Sequence, residues 1–284
     1  MRDVEDIENF ISKTRTQNGR YASIQMRRIV SLTKAYSVDQ VETAIRYCIR
    51  VGICSLNEIQ AQWMDIASNL LSEGLSEEEY KNELNNYLSF EISSPTNLRK
   101  TREILMRIWF YEDDSTAKKI REDAIRLKAK YPDEKFVINW CMLLINYPVF
   151  SDLSKMIGRI SEFNDCIKPS QLKQKLFDEW GERTTLYHST DKIIATMKDL
   201  GAIVANTPGS YTVIKHRISK DEPIAFLLRV AMIIDKGSYY EFTELSCFNN
   251  LFPFEYIVSK EYILTDDHFM ATHFAGEITI SLKE

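Results

Sequence analysis

The amino-acid sequence predicts a mainly α protein, a helical bundle region plus a winged helix-turn-helix with a small β-wing. Three observations predict it. Apolar residues recur at the spacing of one helix face along most of positions 1–168. Glycine is scarce, nine in 284 residues, and turns and strands are what consume it. From 169 the pattern becomes helix, turn, helix, strand, Pro-Gly turn, strand, which is the order of a winged helix.

Taken in order, the spacing predicts three regions: an N-terminal helical region at 1–93, a central helical region at 94–168, and a winged-helix region with a C-terminal helix and strand at 169–284. In the first, helices are expected over 21–36 and 38–51, the latter with Val41, Ala44, Ile45, Cys48 and Ile49 on one stripe. Ser55 and Glu58 form a capping-box pattern for the next helix, which ends near Gly74. Ser76 followed by Glu77, Glu78 and Glu79 starts another, with acids where the helix dipole favours them. The Ser93, Ser94, Pro95 break separates the second region, whose helices are expected at 97–110, 115–130, 134–147 and within 150–163. In the third, 169–180 is a helix burying Leu172, Leu176 and Phe177, 181–187 a turn, and 189–200 a second helix ended by Gly201. Strands at 202–204 and 211–216 flank the turn at 206–210. A buried helix then runs from Glu222 and Pro223 to Asp235, and the alternation from Glu277 to Leu282 predicts a half-buried strand.

The totals limit the function. A net charge of −5 argues against nonspecific coating of nucleic acid, although a local basic face remains compatible with it. Five separated cysteines, none with zinc-ligand spacing, read as free thiols in a reducing compartment. The acidic start at Asp3, Glu5, Asp6 and Glu8 is wrong for a signal peptide, and no apolar run approaches the ~18 residues that span a bilayer. A cytoplasmic protein without a membrane partner is expected.

Charge distribution supplies the binding candidates. Between Asn9 and Val38 there is no acid, while Lys13, Arg15, Arg20, Arg27, Arg28 and Lys34 are present. Such cations suit phosphate oxygens. A second basic set, Arg99, Lys100, Arg102 and Arg107, follows a helix start, and a third, Lys118 to Lys130, is diluted by Glu122 and Asp123. Both sets also read as ordinary solvated faces. In the winged helix, Ser189, Lys192 and Thr196 would stand on the exposed side of the second helix, preceded by Thr184, Thr185, Tyr187 and His188. The expected wing tip carries no Lys or Arg.

No catalytic constellation is present: no glycine-rich dinucleotide or phosphate loop and no nucleophile elbow. Asp266, Asp267, His268 and His273 could in principle hold a divalent cation, but the spacing fits a polar turn equally well, so no metal and no cofactor are expected. Trp63, Trp109, Trp140 and Trp180 fall at apolar helical positions and read as core.

With these residues laid out, the stretch 70–284 resembles the BrxA family of bacterial BREX phage-defence systems, small helical DNA-binding proteins with a winged-helix part. The resemblance lies in GLSEEE at 74–79, SPTNLRKTR at 94–102 leading to Arg107, Ile108 and Trp109, and the apolar helix around 140–145. It continues in STDK at 189–192, DLGA at 199–202 and the ending at 269–280. The chain departs from that pattern by some 70 additional N-terminal residues. Separately, 20–60, with VETA at 41–44 and GICS at 52–55, is similar to a helical segment of insertion-sequence transposases that carries no catalytic residue. The first resemblance implies DNA binding without catalysis. The expectation is a non-enzymatic accessory protein holding double-stranded DNA through Arg20, Arg27, Arg28, Lys34, Arg99, Lys100, Arg102, Thr184, Thr185, His188, Ser189 and Lys192. Its partners would be that DNA and other proteins of a defence system. The rival expectation is an interaction scaffold that uses the winged helix as a docking module.

Overall fold

A computed structural model describes residues 57–89, 91–111, 115–207, 209–274 and 276–283. Arg20, Arg27, Arg28 and Lys34, and the helices expected before 57, lie outside the described residues. The chain is mainly helical, with a few small sheets. Helices α1 (Asn57–Leu71), α2 (Glu77–Ser89), α3 (Pro95–Trp109), α4 (Ser115–Lys130), α5 (Lys135–Asn146) and α6 (Pro148–Ser161) come first. Then follow α7 (Pro169–Trp180), α8 (Thr184–Asp199), the hairpin β1 (Ile203–Thr207) and β2 (Ser210–Val213), and α9 (Asp221–Asp235).

Local chemistry sets these boundaries. Ser94 caps α3 by accepting from the Asn97 amide, and Pro95, Pro148 and Pro169 each sit in a first helical turn, where a missing N–H costs nothing. Ser76 and Glu79 bond reciprocally across the start of α2. Helix α5 is buried nearly all round, from Val137 to Leu144. Trp140 stacks edge-on against Phe150 and Phe252, so α5 forms the centre of the molecule. One continuous apolar core joins α1 through α9 and the tail. At Gly158 on α6 the Asn249 carbonyl approaches so closely that a Cβ would have no room.

Among the described residues no single helix is long and apolar enough to cross a membrane. The segments 132–146 and 148–161 would pass only as a pair, and they meet at 117°.

The basic stretch of α4 is the expected solvated face at Lys118, Lys119, Arg126 and Lys130, but not throughout. Arg121 and Lys128 are buried. Arg121 donates to the Phe110 and Tyr111 carbonyls at the end of α3, where a cation meets the negative end of the helix dipole. The Lys128 Nζ lies 2.6 Å from Asp65, 2.7 Å from Ser68 and 2.8 Å from Asn139, above the Trp109 ring. It therefore ties α1, α4 and α5 together. Trp180 also departs from expectation. It is 39% exposed, and its indole N–H donates to Asp152 on α6 instead of entering the core.

After the hairpin, β3 (His216–Arg217) pairs in parallel with β5 (Phe254–Glu255). The tail holds not one strand but a hairpin, β6 (Phe269–Phe274) and β7 (Glu277–Leu282), turning at Gly276 with φ 89°. β4 (Tyr240–Glu241) joins the other edge of β7. A short helix, α10 (Lys260–Thr265), precedes β6, with Ser259 accepting from the Tyr262 amide.

Candidate nucleic-acid interface

The segment that carries most of the candidates begins at Ile167. Its amide donates to the Tyr211 carbonyl at 2.8 Å, and the Tyr211 amide returns the bond at 3.0 Å, so the chain two residues before α7 is stitched to β2. Helix α7 buries Leu172 and Leu176 and stops at Gly181, whose φ of 78° suits a residue without a Cβ. After 181–183 the chain re-enters a helix at Thr184. This corrects the expected turn at 181–187. Thr184, Thr185 and His188 stand inside α8, in its leading turns, and not ahead of it. The reason is tertiary. Leu186 and Thr190 face the core, and the Thr190 hydroxyl donates to the Leu186 carbonyl, so the helix is drawn back over residues of modest helical propensity.

The leading half of α8 is exposed at Thr184, Thr185, His188, Ser189 and Lys192. Arg183, at the N-cap position, is extended and exposed, and its side chain makes no capping bond. No side chain caps the first amides of α8, and the start of a helix favours anions. Composition alone did not single out Arg183. Its signal was the position after a helix-ending glycine.

Asp191, an acid on the same helix, is engaged sideways. Lys173 of α7 reaches it at 2.7 Å while lying 3.4 Å above the Tyr187 ring. Burial works against the Lys173 charge, but the Asp191 and Tyr187 contacts prevail and raise its pKa. Arg183 and Lys192 form no ion pair with another described residue. The hairpin pairs Ile203 with Val213 and Ala205 with Tyr211, and Lys215 beyond it is committed to Glu255 at 3.0 Å.

On α3, Arg99 and Lys100 are exposed and unpaired among the described residues. Arg102 is half-buried. Its guanidinium is held by Glu103 at 2.7 Å and Asn85 at 3.2 Å, which leaves it little freedom to meet a ligand. Residues of α3 and α8, together with others of α1, α5 and the start of α6, line one groove of about 530 Å³. Ser189, Lys192 and Thr196 lie along that groove, so these three of the expected α8 side chains border a concave apolar surface as well as solvent.

The group at the tail is internal bonding. His268 Nδ1 lies 2.9 Å from Asp266, which also accepts the His268 amide, and Nε2 lies 3.6 Å from Asp123. Among the described residues no group of three or more His, Cys, Asp or Glu side chains is placed to hold a metal ion. Cys141 is buried, and Cys166 and Cys247 are exposed free thiols.

Comparison of the chain with family models, with curated proteins and with solved structures finds no match.

Proposed function

We propose that this chain is a non-enzymatic DNA-binding accessory protein of a bacterial phage-defence system, and that its segment from α6 to β2 is a winged helix with α8 as the reading helix. One observation carries the reading. A helix, a single bridged residue at Ile167, a second helix, a tight turn, a third helix and a hairpin follow one another, with Ile167 paired to the second hairpin strand. The exposed leading half of α8 supports it, and so does the resemblance of 70–284 to the BrxA family. Phosphates would be met by Arg183 and Lys192, with Arg99 and Lys100 across the groove, and Thr184, Thr185 and His188 would reach base edges. Arg20, Arg27, Arg28 and Lys34 would add to the same polyanion contact.

Fluorescence anisotropy of a labelled duplex over a salt series tests this. Eight phosphate contacts predict a log–log slope of about −7, and replacing Arg183 and Lys192 together by alanine should flatten it by about a quarter. Absence of binding at low salt overturns the reading.

A docking module is the second reading, favoured by the cation-free wing and by Tyr239 and Ile257, which are 67% and 75% exposed. Under it the protein would co-purify with products of neighbouring genes and ignore DNA.

A further inference from the structure

The groove between α3 and α8 has the dimensions and lining of a ligand site. Its volume of about 530 Å³ falls within the range of roughly 300–1,000 Å³ typical of small-molecule pockets. Trp63, Ile104, Leu143, Tyr147, Val149 and Ile193 supply an apolar wall, and Ile104 is 47% exposed there. Such surface is costly to leave in water. Among the described residues that line it, Lys192 is the one ionised side chain, and none is Asp or Glu. Lys192 has no ion-pair partner among the described residues. Thr101, Ser189 and Thr196 also line the groove, the last two within about one helical turn of Lys192 on α8. Lys100 precedes Ile104 by one helical turn and so stands on the same side of α3. An apolar floor with a cation and hydroxyls at one edge complements a molecule that is apolar along its length and anionic at one end.

We propose that this groove binds a small amphipathic carboxylate, its chain or ring against Trp63, Ile104 and Val149 and its head on Lys192, Ser189 and Thr196. The inference stands on the groove alone and is independent of DNA binding. Because Lys192 and Ser189 belong to α8, an occupant would also cover part of the surface assigned to phosphate contact.

Isothermal titration calorimetry of the full chain with decanoate, decanol and decylamine, each below its self-association concentration and without DNA, tests it. Decanoate is expected to bind saturably with one site per chain, and decylamine not to bind. Lys192→Gln should weaken decanoate by about tenfold, the usual worth of one charge-assisted contact, while leaving decanol within about twofold. Lys192→Arg should restore decanoate. Ala195→Trp, which places an indole in the groove from an exposed position, should abolish binding of both, with thermal melting confirming the fold. No saturable heat with decanoate overturns the proposal, as it would if protein fills the groove in solution. Equal binding of decylamine, or indifference to Lys192→Gln, overturns it too.

Discussion

Lys128 shows what a single side chain does in this core. Burial disfavours its charge and carries the pKa down to about 8, against the opposing pull of Asp65. Methionine at this position would remove the cation but leave Asp65 and Asn139 facing each other without it. Lys128→Met is therefore expected to cost about 2 kcal/mol in chemical denaturation at neutral pH, toward the low end for a broken buried pair because Asp65 can regain water. The pH dependence has a definite sign. Between about pH 8 and the ordinary lysine value near 10.5 the unfolded chain holds a proton that the folded chain has released, so stability contributed by this group rises with pH over that window. Lys128→Met should flatten the rise, and an unchanged slope would contradict the assignment. This residue was only half legible in the sequence. Arg121, Ala124 and Lys128 fall at the i, i+3, i+7 spacing of a buried stripe, but a lysine on such a stripe normally snorkels outward, and its acceptors lie far away at Asp65 and Asn139. The exposure of Lys192 was legible because Ile194 and Met197 fix which face of its helix turns inward, whereas Thr184 and His188 were expected near a turn and not on that helix.

At the scale of elements, α4 is fastened to α9 by charge. Glu222, in the first turn of α9, accepts from Lys130 at 2.6 Å and Tyr131 at 2.8 Å and also pairs with Arg126, while Asp123 meets the buried Arg229 at 2.7 Å. Burial alone would raise the Glu222 pKa, yet the bonds from Lys130, Arg126 and Tyr131 outweigh it and hold the carboxyl at about 2. A depressed carboxylate stabilises the fold above its unfolded pKa and loses that contribution as protons arrive, here between about pH 4.5 and pH 2. Arg126 and Lys130 are half exposed, so solvent screens much of the pairing. Glu222→Gln is expected to lower the melting temperature by about 2–4 °C at pH 7 and to converge with the parent near pH 2. A constant offset across that range would place the effect in packing and not in ionisation. The existence of α2 to α7 was readable from periodicity, and Pro95, Ser94 and Gly181 marked their ends. The start of α8 was not, because Thr184, Thr185, Tyr187 and His188 have weak helical propensity and only contact with the core extends the helix over them. The second tail strand was visible in its alternation; β6 was hidden because its pairing partner, and not its own pattern, defines it.

For the molecule as a whole, the deciding quantity is where cations stand on a chain of net charge −5. Long-range pairings such as β3 with β5 and β4 with β7 join residues about forty apart, which no local spacing encodes, so the mainly helical character was legible while the arrangement of the tail was not. The same arrangement makes the two functional readings separable. Under the DNA reading the hairpin lies along the duplex beside α8, but it brings no cation there, and Ala205 and Thr207 are exposed on β1. Changing both to lysine adds charge to a hairpin whose residues 203–213 carry none. Affinity for duplex DNA at low salt should then rise by about tenfold, and the salt slope should steepen by up to about two contacts. A docking module has no polyanion beside its hairpin, so the same double variant would leave DNA affinity unresponsive and would weaken co-purification of its protein partner instead. Measuring both on one preparation assigns the surface: a steeper salt dependence with an unaltered melting temperature places nucleic acid against α8 and the hairpin, and an unchanged one gives that face to protein.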